Sequence, residues 1–149
     1  MQKVKKFFKR GNGELLGFAV CLYPFTLLLL LIISITQIAI SKETLSYAAY
    51  TSARSAVVAE NFDQAYTNAN AIVQEIKNQN GYQSASVEIL VNGVSARPGD
   101  SVAWSKGVFI TVKVTFYVDT LLEPLSDNRS SSIVMMVERP ASTGGDYIS

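Results

Sequence analysis

The polar and apolar positions of this chain fall into stretches of different period. Residues 1–14 are rich in basic side chains, and from Leu15 to Ile40 there is then no charged residue in the run LLGFAVCLYPFTLLLLLIISITQIAI. A helix needs roughly 20 apolar residues to cross the hydrocarbon of a bilayer, so this run predicts a transmembrane helix. After Ile40 the apolar positions recur at steps of three or four: Leu45, Ala49, Ala53, Ala56, Ala59, Phe62, Tyr66, Ala69, Ile72 and Ile76. Such spacing places one apolar stripe on an amphipathic helix. No Gly or Pro separates Pro24 from Gly81, so the two helical stretches are expected to join in a single rod of more than fifty residues. Alanines dominate the first half of the outer stripe, which suits close approach of a neighbouring helix. Larger residues dominate the second half, where a sheet can pack.

Asn78-Gln79-Asn80-Gly81 supplies a helix stop, after which the period changes to two. Ala85, Val87, Ile89 and Val91 alternate with polar residues, and Asn92-Gly93 is a strong hairpin pair leading to a short return strand over Val94–Ala96. Arg97-Pro98-Gly99-Asp100 reads as a second turn. The clearest strand runs from Val108 to Val118, with Val108, Ile110, Val112, Val114, Phe116 and Val118 on one face and Thr111, Lys113, Thr115 and Tyr117 on the other. A last strand is expected over Ser131–Val137. Three or four antiparallel strands need a cover for their apolar face, and the second half of the long helix is the candidate. The fold class is therefore α+β, a long N-terminal helix packed on a small antiparallel sheet. The expected layout is a basic cytoplasmic segment at 1–14, a transmembrane helix at 15–40, an outer helix at 41–80, a β domain at 81–140 and a flexible tail at 141–149.

Charge adds topology to this picture. Lys3, Lys5, Lys6, Lys9 and Arg10 precede the apolar run and only Lys42 follows it closely, so the positive-inside rule leaves the N-terminus in the cytoplasm and residues 41–149 outside. From Lys42 onward eight basic residues face eleven acidic ones, about −3, which gives no basic patch for nucleic acid. A cleavable secretory signal has an apolar core of about 7–15 residues, shorter than this run, which favours an uncleaved anchor. The chain has no histidine, which removes His-based metal sites and Ser-His-Asp or Cys-His catalysis, and no cofactor is expected. Cys21, the sole cysteine, cannot form an intrachain disulfide and reads as a packing residue.

Two residues are unusual for a plain tether. Glu14 lies at the cytoplasmic edge of the run, directly after Gly11-Asn12-Gly13, and Pro24 interrupts the run itself. Proline removes a backbone hydrogen bond and kinks or loosens a helix, although isolated prolines are tolerated in transmembrane helices. Glu14 is either an acidic residue favoured by a helix N-terminus or a boundary carboxylate that seeks a cationic partner in an assembly.

This order of features resembles the TadE-like family of pseudopilins, small proteins of tight-adherence pilus systems related to type IV pilins. The resemblance rests on three strings that together cover most of the chain. Arg10-Gly11, then Glu14 and the apolar run with its proline, is similar to the family's opening; Ala48-Ala49 through Ser52-Ala53-Arg54-Ser55-Ala56-Val57 is similar to its alanine-rich stretch outside the membrane; and the third string is the C-terminal pair of strands. In that pair, Val112-Lys113-Val114-Thr115-Phe116-Tyr117 precedes Leu122-Glu123-Pro124-Leu125 and a closing Val134-Met135-Met136-Val137-Glu138-Arg139. Type IV prepilins are usually cut after a glycine, with glutamate five residues into the mature chain. Here a cut after Gly11 would make Glu14 the third residue and a cut after Gly13 would make it the first, so both processed and uncleaved subunits stay open.

The resemblance implies assembly rather than catalysis, with Gly11, Gly13, Glu14 and Pro24 as assembly and anchor residues. The implied partners are membrane lipid, other pilin-like subunits and inner-membrane assembly proteins, with no nucleic acid and no small-molecule substrate. Glu14 would pair with a cation such as a neighbouring N-terminus or the basic cluster, setting register more than adding stability. The main alternative is a membrane-tethered binding or sensor domain, to whose recognition patch Trp104 and Tyr117 could contribute if they are not packing residues. An enzyme would have to draw on Glu88, Asp100, Asp119 and Glu123, which no nucleophile motif or phosphate-binding loop accompanies.

Overall fold

The computed structural model describes the backbone of residues 2–138 and the side chains of residue 13 and of residues 17–138. Helix α1 runs from Gln2 to Val57 and contains Pro24. Helix α2 follows over Phe62–Asn80. The strands are β1 (Ala85–Val91), β2 (Val94–Ala96), β3 (Phe109–Val118) and β4 (Asp127–Met136), with a 3-10 turn over Glu123–Leu125 between the last two. The expected tail at 141–149 lies outside the described residues.

The expected single rod is instead two helices. The break at residues 58–61 needs neither Gly nor Pro, because Asn61 caps the second helix. Its backbone is extended and its side chain accepts from Gln64 N at 2.8 Å, while Gln64 Oε1 accepts from Glu60 N at 3.0 Å. The Asn61 cap satisfies an amide that a helix start otherwise leaves unpaired, and the Gln64 side chain ties the residue before the cap to the first turn. At the other end Gly81, with φ 71, takes the left-handed conformation and returns its N–H to Lys77 O.

The sheet has the order β2-β1-β3-β4 and is antiparallel throughout. Asn92 (φ 51) and Gly93 (φ 84) form the two-residue turn between β1 and β2, as the sequence predicts. Strand β4 starts four residues earlier than the apolar pattern indicates, since the polar stretch Asp127–Ser130 pairs with Val118–Thr115. Backbone pairing along the full length of β3 sets that boundary, and hydropathy does not report it.

One face of the sheet is covered and the other is open. Ile110, Val112, Val114, Phe116 and Val118 are buried, as the alternation predicts, whereas Val108 precedes the strand and is only partly buried; Ile110, Val112, Val114 and Phe116 join Ile89 in the core. Full burial of each such side chain stabilises by about 1.5–3 kcal/mol. Two helices are needed for cover, because a helix is about 10–12 Å wide and four strands span roughly 14 Å between outer axes. Helix α1 packs on β3 and β4, and α2 packs on α1 and β1. The alanine half of the stripe therefore meets the sheet as well as a helix, and that helix is the chain's own α2. Ala48, Ala49, Ala53 and Ala56 are all fully buried. On α2 the buried face is Phe62, Ala65, Ala69, Val73 and Ile76, whereas Tyr66 and Ile72 of the expected stripe are only half-buried. The break re-phases the helix, so a stripe read across it drifts off the true face.

Candidate functional site

The feature that sets this molecule apart is the N-terminal half of α1, which projects beyond the domain. Its most apolar window is only 6% buried, and α1 is long and apolar enough to cross a membrane. Phe18, Val20, Tyr23, Phe25, Leu28, Ile32 and Ile35 are all exposed. A core helix of a soluble protein would have most of these side chains covered. Cys21 is exposed on the same segment.

Gly11, Gly13, Glu14 and Pro24 all fall within α1. The helix passes through Gly11-Asn12-Gly13 and through Pro24 without ending, so the basic segment is a helical continuation of the apolar run. A Cβ built on Gly13 would meet nothing within 4 Å. The side chain of Glu14 lies outside the described residues, as do those of Lys3, Lys5, Lys6, Lys9 and Arg10 before it.

Past Leu30 one face of α1 turns towards the domain. Ser34, Ser41, Leu45, Ala48, Ala49, Ser52, Ala53 and Ala56 are buried, at helical steps. Small side chains let the sheet and α2 approach the α1 backbone closely. Ser52 Oγ turns back onto Ala48 O at 2.6 Å, which satisfies its hydroxyl within the helix.

Two contacts fix the ends of this packed segment. At the far end Glu138 N donates to Val57 O at 3.0 Å, and Arg54 pairs with Glu138 at 2.6 Å. Both side chains of the pair are about half exposed, so it contributes only about 0–1 kcal/mol and acts mainly as a positional clasp. At the near end, closer to the apolar half of α1, Leu121 N donates to Gln37 Oε1 at 3.3 Å. Between α1 and the loops at this end lies a groove of about 300 Å³, lined by Gln37, Ser41, Asn80, Gln83, Tyr117 and Asp119 among others.

Comparison with protein-family models, with curated proteins and with solved structures found no match.

Trp104 is a packing residue. It is 8% exposed, donates from Nε1 to Ala59 O at 3.0 Å and meets Phe62 edge-on at 5.9 Å between ring centroids. It therefore holds the α1–α2 connection. Tyr117 is half-buried at the near-end groove. The four acids weighed as catalytic candidates occupy different places. Glu88 pairs with Lys113 at 3.8 Å on the open face of the sheet, and Asp100 closes the turn after β2 by accepting from Arg97 N at 2.8 Å. Asp119 accepts from Gln83 Nε2 and Ser126 Oγ, and Glu123 belongs to the 3-10 turn. Among the described residues no group of three or more His, Cys, Asp or Glu side chains could hold a metal ion.

The open face of the sheet carries an apolar corner that the alternation along each strand does not reveal. Phe109 and Met136 are cross-strand partners and Thr111 pairs with Val134. Phe109 is 59% exposed, Val134 63% and Met136 48%. This corner lies at the far end of the domain, beside the Val57–Glu138 contact.

Proposed function

We propose that this chain is a single-pass membrane subunit, N-terminus in the cytoplasm, that takes part in assembling a pilus or a related secretion or conjugation apparatus. The observation that carries the membrane part of this reading is the bare apolar half of α1, which its own domain covers hardly at all, while the assembly part rests on the resemblance of the sequence to TadE-like pseudopilins. Lipid or neighbouring transmembrane helices are the partners suited to it. Against a cleaved signal stands the packing of the end of the apolar run. Ser34 is buried and Gln37 bonds the β3–β4 loop, so the helix and the domain are one structural unit. In the proposed mechanism Glu14 pairs with a cation of a neighbouring subunit and sets register, Pro24 adjusts the helix inside the bilayer, and the sheet faces partners outside.

Substitution of Glu14 tests the proposal. Glu14→Gln and Glu14→Ala should abolish incorporation into the assembly while leaving membrane insertion intact, as read by crosslinked or sheared filament fractions beside carbonate-resistant membrane fractions. Normal incorporation of both variants would remove Glu14 from the mechanism.

The alternative, a membrane-tethered binding or sensor domain, is favoured by one observation: the exposed apolar corner of Phe109, Val134 and Met136. A contiguous apolar patch on a surface is a common mark of a partner site. On this reading Glu14 and Pro24 are freely replaceable, while polar substitutions at the corner abolish recognition.

A further inference from the structure

We propose that the β3–β4 loop, residues 119–126, is a second membrane contact: it rests on the outer leaflet with Leu121 set into the headgroup and acyl boundary. This deepens the reading of α1 as a transmembrane helix and depends on it.

Height along α1 decides where the loop stands. The segment of α1 from Gln37 to Val57 rises about 30 Å at about 1.5 Å per residue. Strand β4, with ten residues, covers about the same distance at roughly 3.3 Å per residue. The contacts of Gln37 with Leu121 and of Val57 with Glu138 match the two ends. The domain therefore stands alongside this segment, and the part of α1 left below it ends near Thr36. Counted from Leu15, the first residue of the uncharged run, that remainder is about 33 Å long, close to the roughly 30 Å hydrocarbon thickness of a bilayer. A bilayer centred on the remainder places its outer boundary at Ser34 to Gln37, which is the level of the β3–β4 loop. Ser34 is fully buried on the domain-facing side while Ile33 and Ile35 beside it are exposed, so the lower rim of the domain reaches that depth.

The loop is built to hold an apolar side chain outward. Thr120 N donates to Ser126 Oγ at 3.0 Å, Thr120 Oγ1 donates to Leu122 O at 2.8 Å, and Ser126 N donates to Glu123 O at 3.0 Å. With the backbone braced in this way, Leu121 stands 57% exposed with Pro124 exposed nearby. A single exposed leucine is ordinary on a protein surface. This one sits at the level where an apolar side chain would leave water for lipid, and Ile40 of α1 is exposed at 59% about one turn above Gln37. Glu123 and Asp119 lie on the same loop, whereas Lys42 and Arg129 line a cleft with Ile38. The rim thus carries both signs of charge, so the contact depends on apolar insertion and does not require anionic lipid.

Depth-dependent quenching tests this on the full chain in phosphatidylcholine vesicles. In a Cys21→Ser background, single cysteines from Leu121→Cys, Ile40→Cys, Leu28→Cys and Val94→Cys would carry an environment-sensitive fluorophore, with emission of the buried Trp104 reporting the fold. Val94 is 71% exposed in the far hairpin and serves as the aqueous reference. The expected result is that the label at 121 is quenched by nitroxide lipid labelled near the top of the acyl chain at least as strongly as the label at 40, which stands about one turn higher on α1, while the label at 94 is not quenched. Strong quenching at 28 by a deep nitroxide with no quenching at 121 overturns the loop contact and leaves the span standing. Absence of quenching at 28 overturns the transmembrane reading and the loop contact with it.

Discussion

Replacing Trp104 measures how much of the domain depends on the connection between its two helices. The indole N–H is the described partner of Ala59 O, at 3.0 Å, and Ala59 is itself 2% exposed. Trp104→Phe keeps an aromatic ring against Phe62 but removes the donor. A buried carbonyl left unpaired costs about 1–3 kcal/mol. Trp104→Ala also removes the ring and opens a cavity, at a typical cost of about 3–5 kcal/mol for an aromatic truncated to alanine. For a domain of this size each kcal/mol lowers the melting temperature by roughly 4–8 °C. The assay is a thermal melt of the full chain in detergent, followed by the near-UV signal of the tyrosines, because Tyr82 stacks on Phe116 at 4.7 Å inside the fold. Far-UV signal is less specific, because the apolar half of α1 contributes to it from outside the domain. If Trp104→Phe melts with the parent while Trp104→Ala does not, the hydrogen bond contributes nothing and ring volume alone matters. If neither variant shifts, Trp104 does not hold the α1–α2 connection.

Two further changes test the helices themselves. Asn61→Ala removes the cap of α2 and should destabilise the domain by about 0.5–2 kcal/mol in the same melt, with Asn61→Asp close to the parent, since both side chains accept from the Gln64 amide. Ala53→Leu forces extra carbons between α1 and the elements packed on it, where Ala53 has no exposed surface; a loss of about 1–3 kcal/mol is expected, and an unchanged melting temperature would mean that the interface has room to spare.

Legibility in the sequence follows how far local pattern decides structure. The period-two alternation of β3 and the Asn92-Gly93 turn each carry their own physics, and both stand where expected. The α1–α2 break escapes a search for Gly and Pro. Its signal lies in Asn61 and Gln64, spaced as a capping pair. The start of β4 at Asp127 is not legible, since a polar stretch joins a strand when its partner strand is already long enough to receive it. Trp104 gives no sequence signal for its role, because its partner at Ala59 is far along the chain and comes near only in the fold. The proposed loop contact is hidden for a similar reason. Leu121 is one leucine among many until Gln37 places it beside the end of the apolar run.

The absence of a Gly or Pro hinge between Pro24 and the packed domain is the point on which the two functional readings differ most. The apolar half of α1 and the buried Ala-rich half are one continuous helix, and the segment from Phe25 to Val57 contains neither Gly nor Pro to interrupt it. The packed face begins at Ser34, within the run that predicts the span. On either reading, a tilt or rotation of the helix past Pro24 would move the whole sheet, and a load on the sheet would reach the proposed membrane span. A tethered recognition module gains from a flexible joint that lets it search for its ligand. A subunit that takes a defined place in an assembly gains from a rigid one, because contacts made inside and outside the membrane then select a single orientation. Inserting a short Gly-Ser linker at Ser41 would uncouple the two while leaving the buried stretch from Leu45 to Val57 on the sheet. Loss of assembly with the domain still folded is the outcome expected of the subunit, and undiminished function with the linker present would favour the tethered module.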